Sequence, residues 1–113
     1  MMNYTQIRSF NSVAKTGSFT AAAKELNVSQ PTISEQVREL EAHYKIQLFN
    51  RAQRKVRLTV IGRSLYEITS RLFSVVTEAD TFLMGIESKG VGHLKVISVL
   101  PFFVVEILSS FRE

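Results

Sequence analysis

Eight apolar residues recur through the second half of the chain at a spacing that only a long helix can satisfy. Ile61, Leu65, Ile68, Leu72, Val75, Ala79, Phe82 and Ile86 follow one another at intervals of 4, 3, 4, 3, 4, 3 and 4. That is a heptad seam sustained over more than three repeats. Thr59 suits an N-cap and Lys89-Gly90 a stop. A helix from about residue 60 to 88 would be roughly 43 Å long at 1.5 Å per residue. A chain of 113 residues builds one small core. Such a core cannot cover so long a stripe, so the spacing predicts that the stripe packs against another copy. The alternative is that it folds back on the helices before it.

Three shorter helical patterns precede the seam. Tyr4, Ile7, Phe10, Val13 and Ala14 share one face of the first, and Gly17 stops it. Ser18 suits an N-cap for a second, short helix through Ala21, Ala22, Ala23 and Leu26, closed by Asn27. Its small alanines allow a neighbouring helix to come close. The third begins at Ser29, with Pro31 in the first turn, where a missing N–H costs nothing. Its apolar stripe is Ile33, Val37, Leu40 and Tyr44. Only Asn27 and Val28 separate the second helix from the cap of the third, which makes this corner a helix-turn-helix candidate.

Residues 48–58, LFNRAQRKVRL, carry a different pattern. Val56 and Leu58 bracket Arg57 in alternation, Leu48 and Phe49 form an apolar approach, and the polar AQRK between them suits a hairpin tip. A two-stranded wing is the expectation. Arg51, Arg54, Lys55 and Arg57 place four cations in seven residues with no acid among them. The wider balance agrees: residues 1–66 hold 10 Lys and Arg against 4 Glu, a net of +6, whereas residues 67–113 hold 4 against 6, a net of −2. A basic front half calls for an anionic partner, nucleic acid ahead of membrane.

Other chemistries are excluded by what the sequence lacks. With no cysteine there is no disulfide, thiolate zinc site, iron–sulfur cluster or cysteine nucleophile. His43 and His93 stand alone, without a second ligand at metal spacing, and no GxSxG, P-loop, HExxH or paired-carboxylate arrangement is present. No enzyme, cofactor or metal is expected. The start, MMNYTQIRSF, has no signal-peptide pattern, and no uncharged stretch is long enough to span a membrane. A soluble cytoplasmic protein is the expectation. After a Gly90-Val91-Gly92 hinge, Leu94–Val99 reads as a strand, and Pro101 opens an apolar helix through Ile107, Leu108 and Phe111. These residues read as the opening βα unit of a second domain that the chain does not complete.

The run GSFTAAAKELNVSQPTISEQVRELE at 17–41, followed by LFNRAQRKVRLTVIG at 48–62, closely resembles the DNA-binding region of LysR-type transcriptional regulators. The resemblance covers residues 1–88, and GHLKVISVLPFF resembles the start of that family's effector-binding domain. It implies a mostly α fold: a winged helix-turn-helix over 1–58, a linker helix over 59–89 that dimerises through the seam, and a hinge with a truncated effector-domain start over 90–113. The implied partners are double-stranded DNA and a second copy of the chain, with a tetramer as the full-length alternative. The small-molecule effector site is expected to be absent from this chain. Gln30, Pro31, Thr32 and Ser34 match the family's groove-reading positions, and Arg51 and Arg54 its basic wing. Ser18, Thr20, Ser29, Glu35, Arg38 and Lys55 complete the expected DNA contacts.

The chain departs from the family pattern at two places. Tyr44-Lys45 stands where Leu-Gly is usual, which removes the glycine helix stop. Glu35 is an acid where a base or amide is common. At 100° per residue, Pro31, Glu35, Arg38 and Ala42 lie opposite the apolar stripe, flanked by Thr32 and Ser34. On that face Glu35 either accepts a hydrogen bond from a cytosine amino group or forms a surface pair with Arg38. Two rival functions use the same features: a non-specific architectural DNA binder, and a coiled-coil interaction module with an incidental basic half.

Overall fold

The computed structural model describes residues 1–52 and 55–89. Among these, α1 (Tyr4–Thr16), α2 (Phe19–Leu26) and α3 (Gln30–Tyr44) are followed by strands β1 (Phe49–Asn50) and β2 (Arg57–Leu58) and then by α4 (Val60–Lys89). The fold is a mostly helical winged helix, as the patterning predicts. Arg54 of the wing tip and the whole stretch 90–113, with its expected hinge, strand and helix, lie outside the described residues.

The punctuation works as the sequence implies. Gly17 and Asn27 take left-handed backbone at φ 75° and 61° to end α1 and α2. Ser18 accepts from the Ala21 N–H, and Ser29 from the Thr32 N–H. Thr59 caps α4, its Oγ1 accepting from the Gly62 N–H at 3.0 Å. The capping box at the head of α1, where the Asn3 side chain accepts from Gln6 N and the Gln6 side chain returns to Asn3 N, has no counterpart in the sequence reading.

Residues 1–70 form one compact unit. Its core is Phe10, Val13, Ala22, Ala23, Ile33, Val37, Leu40, Leu48 and Phe49, all buried. Phe49 of the wing sits with its ring centroid 5.3 Å from that of Phe10 and 5.8 Å from that of Phe19, so three elements share one aromatic cluster. At the edge of this core Glu25 of α2 accepts from Ser12 and pairs with Lys15 of α1. The Lys15 ammonium holds the Glu25 carboxyl below its ordinary range against the opposing effect of burial. That tie is therefore in force at neutral pH and is lost as pH falls through the lowered value.

Two residues assigned to apolar stripes are exposed instead. Tyr4 lies at the surface, where the Arg8 guanidinium stands 5.8 Å from its ring centre. Tyr44 is also exposed, its hydroxyl accepting from the Met2 N–H at 3.1 Å. The first turns of α4 belong to the compact unit. Leu65 and Tyr66 pack on the core, and the buried Thr69 hydroxyl bonds Asn11 of α1 at 2.6 Å. From Arg71 onward the described residues are the remainder of α4. Along the helix Ile68 is 54% exposed, Leu72 41% and Val75 59%, and Val76, Leu83 and Met84 are exposed beside them.

Lys45 and Gly62 make opposite demands on the backbone. Lys45 closes α3 at φ 56°, the left-handed conformation that the absent glycine would adopt without strain. At Gly62, a Cβ would stand 2.1 Å from the Leu48 carbonyl oxygen, a backbone atom with no freedom to retreat. Lys45→Gly is expected to stabilise the fold by about 0.5–1 kcal/mol. Gly62→Ala is expected to cost about 2–3 kcal/mol and to lower the thermal midpoint by about 10 °C or more. Thermal and urea melts of the two variants check both signs.

Candidate nucleic-acid interface

The candidate surface is built on α3 and the wing. Ile33, Val37, Leu40 and Glu41 turn inward, which leaves Gln30, Pro31, Thr32, Glu35, Arg38 and Ala42 exposed on the opposite side. Ser34 is half-buried at the margin. The head of the helix is internally bonded. Ser29 Oγ and Thr32 Oγ1 lie 2.8 Å apart, and Gln30 Nε2 donates to Ser34 Oγ at 3.1 Å, which orients the Gln30 amide. Ser18 and Thr20 stand at the start of α2, Ser18 half-buried as its cap and Thr20 exposed. The structure thus brings Ser29, Gln30, Pro31, Thr32, Ser34, Glu35 and Arg38 together along one helix.

Glu35 is paired. Arg38 Nη1 donates to its Oε1 at 3.0 Å across one turn, the surface pair that the i,i+3 spacing allowed. Arg38 also lines a surface depression of about 380 Å³ with Glu41, Ala42, Lys45, Ile46 and Gln47, formed by the end of α3 and the loop that follows it.

The wing hairpin is antiparallel, with Phe49 opposite Leu58 and Asn50 opposite Arg57. This register turns Phe49 into the core and leaves Asn50 and Arg57 exposed. Asn50 Oδ1 accepts from Ala52 N at 3.0 Å and starts the turn at the tip. Lys55 and Arg57 are exposed and make no ion pair among the described residues. Arg51 is tied into the fold as well. Its Nη1 donates to Glu41 Oε1 at 3.2 Å, and its guanidinium carbon stands 5.3 Å from the Phe19 ring centre. Part of its donor set is committed to the protein.

The organising residue of the site is Glu41, which the sequence reading passed over. It is 8% exposed. Its Oε2 accepts from the Leu48 N–H at 2.8 Å and the Phe49 N–H at 3.3 Å, and its Oε1 from Arg51. Thr59 completes the clamp from the other side, its N–H donating to Leu48 O at 3.0 Å and its hydroxyl to Gln47 O at 2.7 Å. The signal for Glu41 lay in its register: it follows Val37 by four residues and so falls on the inward stripe, where an ionised group needs donors. His43 stands at the end of α3, its Nε2 3.2 Å from the Met1 amine and its ring edge-on to Tyr44.

Comparison with known proteins places this geometry. Residues 4–63 match the family described as bacterial regulatory helix-turn-helix protein, LysR family. The RuBisCO operon transcriptional regulator of Allochromatium vinosum is 33% identical over 96% of this chain and 36% of its own length. The glycine cleavage system transcriptional activator of Escherichia coli K12 is 37% identical over 95% of this chain and 35% of its own length. The chain therefore spans about a third of the length of these curated relatives. Among solved structures, the BenM_DBD/catB site 1 DNA complex is 34% identical, with a TM-score of 0.69 over 81% of this chain and 100% of that one.

Removal of the Glu41 carboxylate strands two buried wing amides and releases the exposed Arg51 guanidinium. Glu41→Ala is expected to cost on the order of 3 kcal/mol, and Glu41→Gln, which keeps an acceptor for the amides, clearly less. Chemical denaturation measures both. An alanine variant as stable as the parent would show that the carboxylate does not hold the wing.

Proposed function

The chain belongs to the LysR family of bacterial regulatory helix-turn-helix proteins, and from that membership we propose that it regulates transcription by binding specific duplex DNA sequences as a homodimer. The observation that carries this reading is the uncovered outer face of α3, lined with amide, hydroxyl and guanidinium groups beside an exposed basic wing. An α-helix fits the major groove, where such groups distinguish base pairs. The likeness to a DNA-binding domain in complex with its DNA site supports the same docking.

In this reading residues 1–58 are the DNA-binding domain and residues 59–89 the dimerising linker. Gln30, Pro31, Thr32 and Ser34 face base edges. Ser18, Thr20 and Ser29, at the starts of α2 and α3, meet phosphates, to which helix N-termini offer free N–H groups. Arg51, with the donors left after Glu41, joins Arg54 and Lys55 on the backbone or in the minor groove. The family is one of regulators, not of enzymes. Among the described residues no helix is long and apolar enough to cross a membrane.

The dimer rests on the exposed apolar stripe of α4. Leu65 packs on the core of its own chain, but the other seam positions remain for pairing, and each Leu, Ile or Phe among them is worth about 1.5–3 kcal/mol when fully covered. Selection of bound sequences from random duplex DNA tests the whole proposal: a two-fold symmetric consensus is expected, and enrichment of no sequence would refute it. Leu72→Asp is expected to sediment as a monomer and to bind the selected site more weakly through lost bivalency. A Leu72→Asp protein that stays dimeric at micromolar concentration would remove the seam from the interface.

A further inference from the structure

Glu35 and Arg38 occupy the middle of the face assigned to the groove, and they occupy it as a pair. The side chains are 57% and 67% exposed, and Arg38 Nη1 meets Glu35 Oε1 at 3.0 Å. An unpaired arginine on this face would be drawn to the nearest phosphate, since that attraction is strong and indifferent to sequence. An arginine beside a carboxylate has lost most of that incentive, because the pair is neutral as a whole. Its planar shape and remaining donors are kept. A guanidinium carries five N–H groups, and with one on Glu35 the Nε and Nη2 donors still form a parallel fork. That fork matches the O6 and N7 acceptors of guanine in the major groove.

We propose that Glu35 and Arg38 act as one specificity-determining unit for a G·C base pair in each half-site. Arg38 donates to the guanine edge, and Glu35 is a positioning residue that holds the guanidinium and cancels its pull toward phosphate. The proposal rests on the sequence-specific reading of the chain and says which base pair the departure at Glu35 serves. It also gives the acid a reason to stand on a face that meets a polyanion. Without a partner the carboxylate would only repel the DNA. As half of a neutral unit it trades non-specific affinity for discrimination.

The two roles that Arg38 could have differ in salt dependence. A phosphate contact contributes to counterion release and weakens every duplex equally when lost. A base contact changes preference at one position and leaves the salt slope in place. The experiment uses the full chain. Sites are selected from random duplexes, and affinities are then measured for every single-base-pair variant of the consensus at several salt concentrations. The wild type, Arg38→Lys, Arg38→Ala and Glu35→Gln are compared, with thermal melts to confirm that these exposed substitutions leave the fold intact. The wild type is expected to favour G·C at one position per half-site by about ten-fold or more, and Arg38→Lys to level that position while keeping the salt slope. Glu35→Gln should lower the same preference several-fold and raise affinity for unrelated duplexes. Equal losses on all duplexes for Arg38→Ala, with a salt slope lower by about one, would overturn the proposal and make Arg38 a phosphate contact. So would an unchanged base preference in Arg38→Lys and Glu35→Gln. A wild type that selects no consensus would instead overturn the functional reading underneath it, and the pair's role along with it.

Discussion

A carboxylate removed from water must find donors, and in this chain that requirement joins the reading helix to the wing. Glu41 has one oxygen on the Leu48 and Phe49 amides and the other on Arg51. Arg51 in turn stands against Phe19, and Phe49 packs between Phe10 and Phe19. A two-residue strand pair has little stability of its own. The hairpin keeps its place because α3 satisfies the amides at its entrance and Thr59 satisfies the carbonyls there. Gly62 allows α4 to start directly against Leu48. The exposed face of α3 and the described part of the basic wing are therefore joined in one surface, which recognition of a duplex demands.

Much of this architecture is legible in the sequence because local rules decide it. Gly17, Asn27, Ser18, Ser29 and Thr59 act where their backbone preferences and short side chains place them. Ile33, Val37 and Leu40 bury as their spacing requires. The misjudged residues are those whose fate depends on partners distant in sequence. Glu41 looks like a surface acid until the wing amides are brought to it. Tyr4 and Tyr44 fit the apolar period, but an aromatic ring with a polar end serves equally well at the rim, where Arg8 and Met2 meet them. Lys45 shows tertiary context overriding intrinsic preference: α3 ends at the same place without glycine, since Ile46 to Leu48 must turn toward the core.

The candidate site divides in the same way. Residues at the head of α3 could be placed from the sequence because the cap fixes the helix phase, and phase fixes what faces out. The state of each side chain could not. The Gln30–Ser34 bond and the partial commitment of Arg51 depend on rotamers that no spacing rule selects, whereas the Glu35–Arg38 pair is one of the two outcomes that its i,i+3 spacing left open. α4 shows a further limit of pattern. Its heptad seam is one continuous signal, yet Leu65 covers the core of its own chain while Leu72 and Val75 remain in water. A single period thus serves the fold at one end and leaves an uncovered apolar stripe at the other.

In the function proposed for this chain, two such surfaces, coupled through α4, engage one duplex symmetrically. Hydroxyl-radical footprinting of the chain on its selected site reads this directly, since it maps backbone protection nucleotide by nucleotide. Two protected patches related by two-fold symmetry are expected, on one face of the duplex and separated by a near-integral number of helical turns. A single protected patch, or uniform protection that shifts with the length of the duplex, would contradict that function.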